Sequence, residues 1–262
     1  QRPDGRYGLS AIQWRCRTIM ELDERWQLND PERALWMDIR DNLAPYPTHP
    51  EQGYVRGPGI THPTNRFYHT SHLYMLAPYR LVLGETEEER ALIRRSLESY
   101  GLRSSMDAAP NAATWCMLGE GDIARDWLHK KAIGMWASHG LLEKPLIVGE
   151  SIQNFVLQSF GGVISVFPGM PSDWPDAVFH DMRAEGAFDV SAAYRDGQTR
   201  WIRIRSDSGE PCRVKTDLAR PIEAMGARGF SLTEHDDGTV SIDLKKGETV
   251  LLKTVGSQID TR

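Results

Sequence analysis

Cysteine is scarce: Cys16, Cys116 and Cys212 are the only 3 in 262 residues, and none sits at CxxC spacing. An odd number of widely spaced thiols argues against a disulfide framework or a cysteine zinc cluster, so all three are read as buried thiols. Long apolar runs are missing too, and none approaches the roughly 20 residues needed to span a bilayer. Nor is there a basic excess: 31 Lys and Arg stand against 36 Asp and Glu, for a formal net charge of -5. That balance offers no footprint for phosphate backbones or anionic lipid, so neither nucleic acid nor membrane is an expected partner. The opening residues, Gln1-Arg2-Pro3-Asp4, lack both an initiator methionine and the order of a signal peptide. They read as the interior of a longer polypeptide, whose missing amino-terminal half is itself an expected partner.

What is present suffices for a folded core, with 40% hydrophobic and 26% charged residues. The first 160 residues have a helical period. Leu9, Ile12, Cys16, Ile19, Leu22 and Trp26 recur at spacings of three and four, which lines one helix face. Asp30-Pro31 predicts an N-cap and first position for a second helix, with Leu35, Ile39 and Leu43 on its buried face. Thr86 and Glu89 form a capping-box pattern before a third. Two more are expected over 112–118 and 123–135, separated by Gly119-Glu120-Gly121 and capped by Asp122. Their tryptophans, Trp14, Trp26, Trp36, Trp115, Trp127 and Trp136, are read as core.

Beyond Gly161-Gly162 the period becomes two. Phe188, Val190, Ala192 and Tyr194 alternate with polar or small residues up to an Asp196-Gly197 turn, and Ile202 and Ile204 return. A second hairpin is expected around Asp237-Gly238, and a last strand over 249–253. Arg200, Arg203 and Arg205 fall on an exposed strand face. The class is therefore α+β and multi-domain, a helical part (1–160) followed by an antiparallel β-sandwich-like part (161–262), with the boundary between residues 160 and 181. Between the second and third helices, residues 46–65 form a long Pro- and Gly-rich segment of the kind that often carries function.

Several strings resemble glycoside hydrolase family 95, the inverting α-L-fucosidases and α-L-galactosidases. The most specific is Val156-Leu157-Gln158-Ser159-Phe160-Gly161-Gly162-Val163-Ile164-Ser165-Val166-Phe167-Pro168, followed by Pro171-Ser172-Asp173-Trp174. It is similar to that family's junction between the last barrel helix and the β-domain. Met182-Arg183-Ala184-Glu185-Gly186-Ala187-Phe188 and Tyr68-His69-Thr70-Ser71-His72-Leu73-Tyr74 resemble two further family strings. The resemblance implies the carboxy-terminal half of an (α/α)6 barrel followed by a β-domain. It also implies hydrolysis of α-linked fucosyl or galactosyl-type sugars in oligo- or polysaccharides, without cofactor or metal, in a full-length protein that is secreted or periplasmic.

Two departures bear on the site. The family places arginine before its first motif histidine, where this chain has Tyr68, with Arg66 two residues earlier. The family's catalytic aspartate has no counterpart in residues 141–151; Glu143 aligns with it without gaps, and Glu150 lies nearer the junction. Inverting hydrolysis needs a general acid and a general base roughly 6.5–9.5 Å apart. Here the acid is expected upstream of this chain, and Glu150 is the preferred base, behind an apolar wall of Leu146, Ile147 and Val148. The competing reading makes Glu150 the cap of a helix opening at Ser151. Glu143, beside Lys144, is the second candidate. His69 is implied to bind sugar hydroxyls, with Tyr68, Arg66 and Tyr54 beside the ligand and a buried His72 orienting the motif. His62, His69 and His72 are a conceivable zinc set, because imidazoles at helical spacing can ligate the ion, but no supporting ligand pattern accompanies them. Two other functions stay open: an inactive glycan-binding or structural module of the same fold, and another (α/α)6 enzyme such as a lyase or phosphorylase.

Overall fold

The computed structural model describes residues 6–57, 59, 70–101, 105–133 and 143–259. The chain forms two compact units, 1–111 and 112–262. No described helix is long and apolar enough to cross a membrane.

In the first unit, α1 (Arg6–Trp26) packs against α2 (Arg33–Asp41). The predicted stripe is only partly covered: Cys16 is buried, but Ile12 and Trp26 are 43% and 63% exposed, and Leu35 on α2 is 48% exposed. Trp14, expected in the core, is also exposed. The α1–α2 turn is tied by Asp23, whose carboxylate accepts from the Asp30 N–H at 2.8 Å and from Arg33 at 2.7 Å. Asp30 does not cap α2, which starts three residues later. Its carboxylate instead holds the Glu32 N–H and the Trp36 indole across the turn. At α3 (Glu87–Tyr100), Thr86 is the N-cap and accepts from the Glu89 N–H at 3.2 Å, as the capping pattern requires.

The unit boundary falls within α4 (Ser105–Met117). The second unit continues with α5 (Gly121–Trp127), a π-helical stretch (Leu128–Ile133) and α6 (Glu143–Val156). Helix α6 therefore opens well before Ser151, because Pro145 lies in its first turn, where proline forfeits no hydrogen bond. At residue 157 the helix gives way to strand, not to more helix. β3 (Leu157–Phe160) folds back on β4 (Val163–Val166) through Gly161-Gly162, both at positive φ.

The remaining strands are β5 (Ala177–Ala184), β6 (Phe188–Arg195), β7 (Gln198–Ser206), β8 (Cys212–Lys215), β9 (Ile222–Gly226), β10 (Leu232–Glu234), β11 (Thr239–Ile242) and β12 (Thr249–Thr254). They form two five-stranded sheets, ordered β10-β11-β8-β4-β3 and β5-β6-β7-β12-β9. Both predicted hairpins are present, with Asp196 and Gly197 at positive φ in the β6–β7 turn. One expectation fails: the strands are not all antiparallel. β4 and β8 run parallel, Ile164 facing Val214, since the chain builds β5–β7 in the other sheet before it returns. The class is α+β, with one mixed and one antiparallel five-stranded sheet. Both sheets feed one core, in which Ile164, Val214 and Val240 of the first meet Val190, Ile202 and Val250 of the second. All three cysteines are buried thiols.

On the outer strand face, Arg203 and Arg205 are exposed and paired with Asp181 and Asp207. Two further carboxylates are held down to about 2. Hydrogen bonds from Thr239, with Arg213 alongside, lower Asp237; Arg228, with the Lys245 N–H, lowers Glu248. Because the folded pKa values lie below those of the unfolded chain, this contribution is complete above about pH 5 and disappears as pH falls towards 2. A lower urea midpoint at pH 3 than at pH 6 is therefore expected for the β-domain, and Asp237→Asn should narrow the difference. Equal midpoints for parent and variant at both pH values would contradict it.

Candidate active site

The segment 46–65 is less irregular at its start than its composition suggests. β1 (Thr48–His49) and β2 (Gly53–Tyr54) form a small antiparallel hairpin. It is fastened to α3: the Tyr54 N–H donates to Ser96 Oγ at 2.7 Å, and Ser99 Oγ donates to the Gln52 carbonyl at 2.9 Å. Gly53, at φ 71°, leaves no room for a Cβ against the backbone of Leu92 and Ser96. Tyr54 itself is buried, edge-on to Tyr46 at 6.2 Å, and burial pushes its phenol up to about 12. At neutral pH it stays protonated and can serve only as a neutral hydrogen-bonding group.

Arg66, Tyr68, His69 and His62 lie outside the described residues. His72 is described, in a 3-10 turn (Ser71–Leu73), where its buried ring lies 5.8 Å from that of Tyr100. Among the described residues no group of three His, Cys, Asp or Glu side chains could hold a metal.

Glu150 sits in the middle of α6, exposed to solvent. Neither premise of the sequence reading is met there. The residue is not at a helix N-terminus, and no apolar wall encloses it, since Leu146 one turn earlier is itself 65% exposed. The helical pitch turns Val148 and Ser151 inward and Glu150 outward. Asn154 Nδ2 donates to the Glu150 carbonyl at 2.8 Å, which leaves the carboxylate out of that contact. Glu143 is the first residue of α6, and its side chain lies outside the description.

The best-built polar arrangement near α6 was not anticipated. The segment from Phe167 to Trp174 is seated on the helices of its own unit. Asp122, read from sequence as a helix cap, instead accepts from the Ser172 N–H at 2.9 Å and from Ser172 Oγ at 3.0 Å, which lowers its pKa. Arg125 pairs with Asp173 at 2.5 Å, and Trp174 packs on Phe155 of α6 at 5.2 Å. Gln158, buried, donates to the carbonyls of Ala113 and Asn154, both at 3.1 Å, and so ties β3 to α4 and α6. The Pro-Ser-Asp-Trp string that carried the sequence resemblance is thus the seam between helices and strands. Its partners on α5 lie some fifty residues upstream, beyond the reach of a local pattern.

Helices joined through such a seam to a two-sheet domain define an α+β protein whose carboxy-terminal part can be compared with known domains. Residues 158–252 match the family model described as glycoside hydrolase family 95, C-terminal domain. The carboxy-terminal part of the chain is therefore family 95-like, and the relationship is to glycoside hydrolases. Comparison with curated proteins returns no match.

Proposed function

We propose that the protein hydrolyses α-linked fucosyl or galactosyl-type sugars of glycans with inversion, its helices forming part of an (α/α)6 barrel. The observation that carries this reading is the family match over 158–252, which begins within the strand that Gln158 ties to α4 and α6. In the proposed reaction Glu150 draws a proton from water as that water attacks the anomeric carbon, and a general acid not assigned to this chain protonates the leaving oxygen. Glu150's exposure gives water free access to it. Arg66, Tyr68 and His69 hydrogen-bond the sugar hydroxyls with Tyr54 beside the ligand, His72 orients the motif, and Glu143 is the alternative base.

A specific observation favours a second reading. An exposed mid-helix carboxylate without an apolar enclosure suits a glycan-binding module that does not turn over substrate. Incubation with aryl α-L-fucosides and α-L-galactosides, followed by proton NMR of the released sugar, separates the two. Release with an initially β-configured product supports inverting hydrolysis. Binding of the glycosides without release supports the module, and an initially α-configured product rules out inversion.

A further inference from the structure

We infer that the outer face of the β5-β6-β7-β12-β9 sheet carries a second saccharide site, an open groove in which Arg203 stands beside an apolar floor of Leu251 and Met225. It rests on the carbohydrate-active reading above and adds a site that the proposed catalytic residues do not use. The groove is about 680 Å³, within the range of small-molecule sites.

Strand register builds it. Ser191, Arg203, Leu251 and Met225 face one another in a single row across β6, β7, β12 and β9, so the floor runs from polar to apolar along one line. Arg203 is held at the polar end by a β-bulge in β5, where Asp181 takes a positive φ. Its Nη2 donates to Asp181 at 2.7 Å and to Ser191 Oγ at 3.0 Å. These bonds fix the guanidinium plane and occupy only Nη2, so that Nε and Nη1 have no partner among the described residues and can meet a ligand. At the apolar end Met225 is 44% exposed. Behind that end, on the core-facing side of Gly226, Phe230 lies where a Cβ would come within 2.5 Å of its ring, and the Arg228 guanidinium covers it at 4.4 Å. Arg228 is in turn clamped by Glu248 through two bonds of 2.7 and 2.8 Å, which makes a rigid wall.

The charge balance selects the ligand. Each cation at the groove already has a carboxylate, Arg203 with Asp181 and Arg228 with Glu248, so the site presents donors without net positive charge. An anion gains little there. A neutral sugar residue fits both ends: vicinal hydroxyls accept from Arg203, and the C–H face of the ring rests on Leu251 and Met225 in place of water.

The test is an amide NMR titration of the 262-residue chain with methyl α-L-fucoside, methyl β-D-galactoside and methyl β-D-glucuronide. At least one neutral glycoside should shift amides of β7, β9 and β12 saturably. Met225→Asp, which changes an exposed side chain, and Arg203→Gln should each weaken that binding about tenfold or more while spectral dispersion is kept. The inference is overturned if no neutral glycoside shifts these strands, if only the glucuronide does, or if Met225→Asp binds like the parent. Hydrolysis is read separately. Intact turnover without these shifts removes this site alone, whereas shifts without turnover leave it standing and remove the hydrolase reading.

Discussion

Replacing Glu150 with Gln is expected to lower kcat roughly 10²–10⁴-fold on any fucoside or galactoside that the protein turns over, with KM little changed. The substitution keeps shape and hydrogen-bonding capacity but removes the basic oxygen that must accept the proton of the attacking water. Its position sharpens the test. An exposed residue in the middle of α6 contributes little to stability, so the variant should unfold within about 0.5 kcal/mol of the parent. A fall in turnover then reports chemistry and not folding. Glu143→Gln is the paired measurement, because the gapless alignment predicts the loss there instead. Full activity in both variants would place the base elsewhere.

The second large effect is expected at the seam. In the parent, Gly169 lies so close to α4 that an added Cβ would come within 2.6 Å of Cys116 Cα and 2.8 Å of its Cβ. Backbone cannot yield as a flexible side-chain tip can, so Gly169→Ala should cost about 1–3 kcal/mol, read as a lower urea midpoint in tryptophan fluorescence. Gly149→Ala, in the interior of α6 with nothing within 4 Å of the new methyl, should do the opposite and gain about 0.5–1 kcal/mol. The same chemical change with opposite signs isolates the close approach. An unchanged midpoint for Gly169→Ala would mean that the segment is not seated as described.

Local signals were legible where local physics decides. The Thr86 cap, the Asp196-Gly197 turn and the alternation from Phe188 to Ile204 depend on neighbours a few residues away, and each appears in the structure. The start of α6 was hidden because Leu146-Ile147-Val148 reads as strand as readily as helix, and Pro145 reads as a break although a first turn tolerates it. Ile12 and Trp26 keep a helical period yet remain exposed, since periodicity says which face is apolar and not whether anything covers it. The site was legible only by resemblance. Counting without gaps points to Glu143, Glu150 owes its preference to its closeness to a helix expected at Ser151, and the helix that carries both begins at Glu143, eight residues before Ser151. The alternation identifies Arg203 as a surface strand residue, and nothing in it signals the bulge at Asp181 or the groove beside it.

The parallel pairing of β4 with β8 has a consequence for how the domain is made. Its partners Ile164 and Val214 are separated by the whole of β5, β6 and β7, so that contact closes a loop of about fifty residues. During synthesis the β3–β4 hairpin emerges first and must wait with one edge open, while β5–β7 can zip into their meander by short-range contacts. That wait ends with the arrival of β8. Until residue 215 leaves the ribosome, the Val163–Val166 edge is a template for any other strand, and premature termination in this interval would yield an aggregation-prone chain.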